Sequence, residues 1–239
     1  MKITERQEKI LNTIVKEYIN SAWPVSSQLL EKKHNLGISP ATIRIEMQKL
    51  TDFGLLRQPH TSAGRVPTDK GYRFFVNDLI AKGFFEKDYD FKIESWVDEE
   101  IADAVKFIQS LTKNLALASS TLALSYLPEE RILWKEGWEE IFREPEVEEK
   151  NFISNFFELL ENFENNIGDL KIDSGIKIYI GRENPFPKAR DFSIICSKCY
   201  FPTGKKAVVS LLGPKRMNYN RNIGLINSLA KLLESRSGS

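Results

Sequence analysis

The first eighty residues carry apolar positions at helical spacing, interrupted by proline and glycine where helices are expected to end. The spacing of three and four residues predicts an N-terminal helix. Its apolar face contains Ile10, Leu11, Ile14, Val15, Tyr18 and Ile19. Thr4 and Gln7 have the separation of a capping box and mark the start of this helix. Pro24 biases the residue before it away from helical geometry, so the helix is expected to end near residues 20–21.

Two further helices are predicted before residue 54. The first covers residues 26–33, and its inward side chains are Val25, Leu29 and Leu30. The pair Ser39-Pro40 combines a capping residue with proline at the first helical position, which starts a third helix. The buried face of that helix contains Ile43, Met47 and Leu50, and Gly54 ends it. The last two helices are joined by a tight turn at residues 34–37, which indicates a helix-turn-helix.

A short hairpin with a loop of small residues follows the third helix. Residues 55–58 are predicted as one strand, residues 60–64 as the loop and residues 65–67 as the returning strand. Thr68 then caps a fourth helix, whose inward residues are Tyr72, Phe75, Val76 and Leu79. A hairpin in this position is a wing, so residues 1–80 are predicted to form a winged helix-turn-helix.

The rest of the chain changes from helical to strand periodicity, which predicts a second domain and the α+β class. Residues 81–92 are predicted as a linker, and residues 93–127 carry one long helical pattern. The pattern further predicts a short strand at 132–134, a helical turn at 138–142, a helix at 151–165, strands at 176–180, 192–201 and 206–212, and a final helix at 222–234. The second domain, residues 93–239, is therefore expected to contain a small antiparallel sheet.

The net charge of +1 hides three blocks of different sign. Residues 1–80 contain 12 Lys and Arg and 8 Asp and Glu, a net charge of +4, and residues 81–172 contain 10 and 21, a net charge of −11. Residues 173–239 contain 12 and 4, a net charge of +8. The basic end either adds to a DNA-facing surface or balances the acidic middle within one domain, and the strand and helix signals around it favour the second interpretation. Its candidate cations are Lys205, Lys206, Lys215, Arg216 and Arg221.

Catalytic and metal-binding chemistry have little support in the sequence. Cys196 and Cys199 are too few for a disulfide framework, and two thiols three positions apart in a strand face opposite sides. The two histidines, His34 and His60, both lie in the first domain, and the acidic pairs at 139–140 and 148–149 point apart on helical segments. A glycine-rich phosphate loop is missing as well. The sequence predicts no enzyme, no metal site and no cofactor.

The start of the chain is charged, and no apolar run approaches the roughly 18 residues that a membrane helix needs. Together with the unpaired cysteines, these features predict a cytoplasmic protein.

A winged helix makes several polar residues candidates for DNA contact. Arg and Gln side chains near the start of the third helix can pair with guanine and adenine in the major groove. Hydroxyls and cations of the wing, and the start of the second helix, can reach the phosphate backbone. The candidate residues are Ser26, Ser27, Gln28, Ser39, Thr42, Arg44, Gln48, His60, Thr61, Ser62, Arg65, Lys70 and Arg73.

Each group of candidates also has an interpretation without DNA. The third helix can instead bind protein, residues 26–28 can serve only as a helix cap, and the wing residues can serve only the turn. Lys70 and Arg73 can simply be solvated.

Several motifs resemble one family closely. They are SPATIR at 39–44, GLL at 54–56, QPHTSAGRVPT at 58–68 and GYR at 71–73, followed by EG at 136–137, EPE at 144–146, GRENP at 181–185 and GPKRMNY at 213–219. Together they resemble the heat-inducible transcription repressor HrcA family over about three-quarters of the chain. The wing segment is the most specific of them.

The resemblance implies a repressor of chaperone genes that binds an inverted-repeat operator as a homodimer. In such repressors the chaperonin GroEL helps to keep the protein active, and heat stress releases it from DNA. The resemblance also implies that the second domain is GAF-like.

The chain differs from that family in two respects. It is shorter by roughly a hundred residues, on the scale of one small domain. The missing part would comprise several strands of the GAF-like domain and the dimerisation domain inserted into it. The chain also has Ile45 where the family tends to have asparagine. Two alternatives stay open at this point, a ligand-sensing winged-helix regulator of other genes and a protein-binding winged-helix module.

Overall fold

The computed structural model of the chain describes residues 3–83, 92–97, 103–170, 172, 175–201 and 204–237. Its internal contacts divide the chain into two compact units, Met1–Lys82 and Gly83–Ser239. Most of the predicted linker, residues 84–91, lies outside the described residues. The fold is α+β, as the sequence predicted.

The first unit is a winged helix-turn-helix. Its elements are α1 (Glu5–Ser21), α2 (Ser27–His34), α3 (Pro40–Asp52), β1 (Leu56–Arg57), β2 (Val66–Pro67) and α4 (Asp69–Lys82). Its core is built from the apolar faces of α1, α3 and α4, which include Ile10, Leu11, Ile14, Ile43, Leu50, Tyr72 and Phe75.

Side-chain caps start the first three helices where the sequence predicted. The backbone N–H of Gln7 donates to Thr4 Oγ1 at 3.3 Å, and the backbone N–H of Thr4 donates to Gln7 Oε1 at 3.0 Å, which completes the capping box. Ser26 and Ser39 accept from backbone N–H groups in the first turns of α2 and α3. The prediction that Leu29 turns inward is wrong, because it is 38% exposed. Leu30 is the buried apolar residue of α2, and its neighbour in sequence points about 100° away around the helix.

A buried polar contact fixes α3 against α1. Gln7 Nε2 donates to Glu46 Oε2 at 2.8 Å, and Lys49 Nζ lies 3.1 Å from Glu46 Oε1. Glu46 is 7% exposed. The hydrogen bond from Gln7, with help from Lys49, lowers the pKa of Glu46 below its ordinary value. The ionised carboxylate is therefore the form that holds α3 in place.

Replacing Glu46 with glutamine is expected to destabilise the first unit by about 1–2 kcal/mol at pH 7, because a hydrogen bond to a charged acceptor is lost. The pKa of Glu46 is lower in the folded than in the unfolded state. Its contribution to the free energy of unfolding is therefore full above the unfolded-state pKa and is lost as the pH falls through the folded-state pKa. Hydrogen exchange of α1 and α3 at pH 7 and pH 4 measures it. The difference between wild type and Glu46→Gln should shrink at pH 4, and a difference independent of pH would contradict the prediction.

The second unit is built on an antiparallel sheet of five described strands, in the order β4-β3-β7-β6-β5. The strands are β3 (Leu122–Leu127), β4 (Ile132–Glu136), β5 (Ile176–Ile180), β6 (Phe192–Tyr200) and β7 (Lys206–Pro214). The helices are α5 (Ala104–Ser119), α6 (Trp138–Phe142), α7 (Phe152–Asn166) and α8 (Tyr219–Ser237). Short 3-10 turns lie at Ile93–Trp96, Pro145–Glu148, Ile167–Asp169, Gly181–Glu183 and Ala189–Asp191.

Helices cover both faces of this sheet. The phenylalanines of α7 pack against one face, on Leu122, Leu124, Phe192 and Ile194. Buried hydroxyls join α5 and α8 to the other face. Thr112 Oγ1 of α5 lies 2.8 Å from Ser125 Oγ of β3, and Ser193 Oγ of β6 lies 2.7 Å from Tyr219 Oη of α8. This two-sided arrangement is consistent with the GAF-like domain that the family resemblance implies.

The prediction of one long helix over residues 93–127 is wrong. A 3-10 turn occupies Ile93–Trp96, α5 ends at Ser119, and Leu122–Leu127 form strand β3 of the sheet, between β4 and β7. Ser120 ends the helix in the left-handed conformation, with φ of 50°. Strand β3 is buried on both faces, so apolar and polar residues do not alternate along it. Its sequence therefore reads as a continuation of the helical pattern that precedes it.

The charge blocks of the second unit pair with one another. Arg216 contacts Glu144 and Glu146, and Lys205 contacts Glu130. These two cations of the basic end therefore support the interpretation that it balances the acidic middle.

The two cysteines lie on opposite faces of β6 and are buried. Burial raises the pKa of each thiol to about 12, which keeps both protonated. Within the described ranges there is no group of three His, Cys, Asp or Glu side chains suited to a metal ion. None of the described helices is long and apolar enough to cross a membrane.

Candidate nucleic-acid interface

The outer face of α3 is exposed along the length of the helix. Its buried side contains Ile43, Glu46, Met47 and Leu50. The opposite side presents Ala41, Arg44, Ile45, Gln48, Lys49 and Asp52. Arg44 and Gln48 thus point outward, as the sequence predicted. A helix about 10–12 Å across fits a major groove about 12 Å wide.

The wing is attached to the segment between α1 and α2 as well as to its own hairpin. β1 pairs antiparallel with β2, with Arg57 opposite Val66. The Val25 N–H donates to the Arg65 carbonyl at 2.9 Å, and the Arg65 N–H donates to the Val25 carbonyl at 2.8 Å. A Cβ on Gly64 would lie 2.4 Å from the Val25 carbonyl oxygen, so this close approach requires glycine.

Gln58 holds the tip of the wing. Its Nε2 donates to the carbonyls of Thr61 at 2.8 Å and Ala63 at 2.9 Å. These bonds span a turn in which the Ala63 N–H donates to the His60 carbonyl at 2.9 Å. Gln58 is not among the site residues that the sequence predicts. Its place directly before the Pro59-His60 turn was the available signal.

Arg65 connects the wing to α3. Its Nε donates to Thr51 Oγ1 at 3.1 Å, and its Nη2 donates to Gln48 Oε1 at 2.9 Å. Gln48 Nε2 in turn donates to Asp52 Oδ1 at 2.8 Å. The predicted wing cation therefore also sets the spacing between the wing and α3.

A groove of about 440 Å³ lies between the start of α2, α3 and the wing. Seven predicted candidates line it, namely Ser26, Ser27, Gln28, Arg44, Thr61, Ser62 and Arg65. Hydroxyls, amides, guanidinium groups and a helix start are the groups that contact phosphate and sugar in protein–DNA complexes. The groove and the outer face of α3 share Arg44, so both belong to one surface.

The other six candidates are not among the residues that line this groove. Ser39 Oγ accepts from the Thr42 N–H at 3.2 Å and lies 3.0 Å from Thr42 Oγ1, so this pair caps α3. Gln48 lies one turn further along α3, and His60 is exposed in the wing turn. Lys70 Nζ donates to the Phe53 carbonyl at 2.9 Å, which places a cation at the end of α3. Arg73 is half-buried on α4.

A second cleft, of about 380 Å³, lies in the second unit beside the start of α7. Its lining includes the cations Arg182, Lys188 and Arg190 and the amides of Asn151 and Asn155. Residues of the segment 181–185 serve the local fold here. Asn184 Nδ2 donates to the carbonyls of Gly181 at 2.8 Å and Phe192 at 3.2 Å, and Glu183 accepts from the Ile180 N–H at 3.1 Å.

The chain is similar to known proteins over both units. A family model described as "HrcA protein C terminal domain" matches residues 78–223. "Heat-inducible transcription repressor HrcA" of Acetivibrio thermocellus is 38% identical over 131 residues, which cover 55% of this chain and 37% of that protein. The chain thus spans little more than a third of the length of that curated relative.

A longer match and a solved structure extend the comparison. The "Heat-inducible transcription repressor HrcA" of Natranaerobius thermophilus is 27% identical over 334 residues, with 98% of this chain and 96% of that protein covered. That match is 95 residues longer than the 239 residues of this chain, so the relative contains internal positions that the chain lacks. A crystal structure of a hypothetical protein has a TM-score of 0.86 at 23% identity, covering 99% of both chains, and shows the same fold.

Proposed function

The chain belongs to the HrcA family, and on that premise we propose that it is a transcription repressor that binds double-stranded DNA with α3 and the wing. The observation that carries this proposal is the single surface formed by the outer face of α3 and the groove beside it. α3 would enter the major groove with Arg44 near its leading end. The wing turn and the start of α2 would contact the backbone on either side.

The further details of the proposal follow from the family. The relatives named above are called heat-inducible transcription repressors. We therefore propose an inverted-repeat operator in front of heat-shock genes, bound by a homodimer with one α3 in each half-site. Release from DNA on heat stress and a dependence on the chaperonin GroEL are part of the same proposal.

The ligand-sensing alternative has weaker support. The interior of the second unit is filled by apolar side chains, including Phe156, Phe163 and Phe192. The cleft near α7 has the volume of a small-ligand site, but its lining is cationic and polar where such sites are usually apolar.

A binding titration tests the proposal. A duplex enriched from a random library by the purified chain is compared with the same duplex in scrambled base order, across salt concentrations. We expect wild type to prefer the enriched duplex. Arg44→Ala should weaken its binding by roughly 10- to 100-fold, because a bidentate base contact is lost, and should reduce the preference. Lys16→Ala, which removes an exposed cation of α1 outside the groove, should stay within about twofold.

Two results would overturn the proposal. Equal and steeply salt-dependent binding to both duplexes would mean phosphate contact without base recognition. Failure to enrich any duplex at low salt would favour a protein-binding winged helix.

A further inference from the structure

Ile45 is an apolar side chain in the middle of the outer face of α3. It is 56% exposed, and its neighbours on that face are Arg44, Gln48 and Lys49. Ala41 lies one turn before it and is also exposed. A β-branched residue is a weaker helix former than alanine or lysine, so helix formation does not favour isoleucine here. Core packing does not favour it either, because the buried side of α3 lies opposite.

The surface around Ile45 restricts what it can contact. Ile45 directly follows Arg44, which lines the groove, and Gln48 lies one turn after it. Hydrogen bonds to Arg65 at 2.9 Å and Asp52 at 2.8 Å hold the Gln48 side chain in place. If α3 enters a major groove, Ile45 faces the base edges between these two polar side chains. The one apolar group that base pairs display there is the C5-methyl of thymine.

We propose that Ile45, with Ala41 beside it, contacts the C5-methyl group of a thymine and selects that base at one defined position of each half-site. This inference rests on the proposed function, since it requires α3 in the major groove. Isoleucine in a helix has one strongly preferred χ1 rotamer, so its methyl groups are held in place before DNA binds. Burial of one methyl group corresponds to an affinity change of about fourfold.

Deoxyuridine substitution tests this inference directly. Uracil pairs with adenine as thymine does and keeps the O4 acceptor, but it lacks the C5-methyl group. Each thymine of the enriched duplex is replaced in turn, and binding is measured for wild type, Ile45→Val and Ile45→Ala. For wild type we expect uracil at one thymine position of the half-site to weaken binding about fourfold. Ile45→Val should keep most of this effect and Ile45→Ala should lose it.

The outcomes separate this inference from the proposed function. Preference for the enriched over the scrambled duplex tests the function and does not involve uracil. If that preference holds but no thymine position responds to uracil in wild type, the inference is wrong while the function stands. It is also wrong if Ile45→Ala responds to uracil as strongly as wild type does, or binds the thymine duplex with unchanged affinity.

Discussion

Replacing Arg216 with methionine is expected to lower the free energy of unfolding of the second unit by about 3–5 kcal/mol, because two largely buried carboxylates lose their cation. The Arg216 side chain is 11% exposed, and those of Glu144 and Glu146 are 20% and 16% exposed. Arg216 Nε donates to Glu146 Oε1 at 2.6 Å and Nη2 donates to Glu146 Oε2 at 3.1 Å, while Nη2 also contacts Glu144. This cluster ties the residues just after β7 to the 3-10 turn before α7.

The size of this effect should depend on pH. Burial raises the pKa of Glu144 above its ordinary value despite the nearby guanidinium. Loss of Arg216 should raise that pKa further, so the penalty is largest where the carboxylate is ionised and falls as the pH drops and the group takes up a proton. Hydrogen exchange of the β6 and β7 amides measures the loss of stability in Arg216→Met at pH 7 and at pH 5.

A matched control and a rescue make the experiment specific. Arg143→Met removes the same kind of side chain from an exposed pair, since Arg143 is 70% exposed and lies 2.7 Å from Glu140. That variant should change stability by less than about 1 kcal/mol. Adding Glu144→Gln and Glu146→Gln to Arg216→Met should restore much of the lost stability. A loss in Arg216→Met no larger than in Arg143→Met would contradict the prediction.

The parts of the fold that the sequence predicted are those with short-range causes. Thr4 with Gln7 and Ser39 with Pro40 place helix starts by contacts within one turn, so the pattern is visible in four residues. The Leu122–Leu127 strand is different, because its identity depends on pairing with β4 and β7. Periodicity cannot distinguish such a doubly buried strand from the end of a helix.

The site shows the same division. The outward direction of Arg44 and Gln48 follows from the helical period of α3, and the wing follows from its turn residues. The bonds from Arg65 to Gln48 and Thr51 join residues 17 and 14 positions apart, and no local pattern encodes them. The Arg216 cluster joins residues 70 and 72 positions apart, although both of its segments are among the motifs that resemble the family.

Gly64→Ala is expected to detach the wing from the segment before α2. The added Cβ would lie 2.4, 2.5 and 2.8 Å from the carbonyl oxygen, carbonyl carbon and amide nitrogen of Val25, all of them backbone atoms that no side-chain rotation can move. The two hydrogen bonds between Val25 and Arg65 must lengthen or break to make room. Overpacking together with these losses should destabilise the first unit by roughly 2–4 kcal/mol.

The same change should reduce affinity for the enriched duplex at least about tenfold, because displacement of Arg65 and the wing turn removes several backbone contacts together. Gly54→Ala is the control. Gly54 has φ of +71° with no atom within 4 Å of an added Cβ, so its substitution adds about 1–2 kcal/mol of backbone strain without moving the wing. Hydrogen exchange of residues 55–68 reports the state of the wing, and the titration reports affinity. If Gly64→Ala loses protection from hydrogen exchange in the wing but keeps its affinity, α3 binds DNA without the wing. If Gly64→Ala loses both while Gly54→Ala binds normally, the wing takes a direct part in the interface.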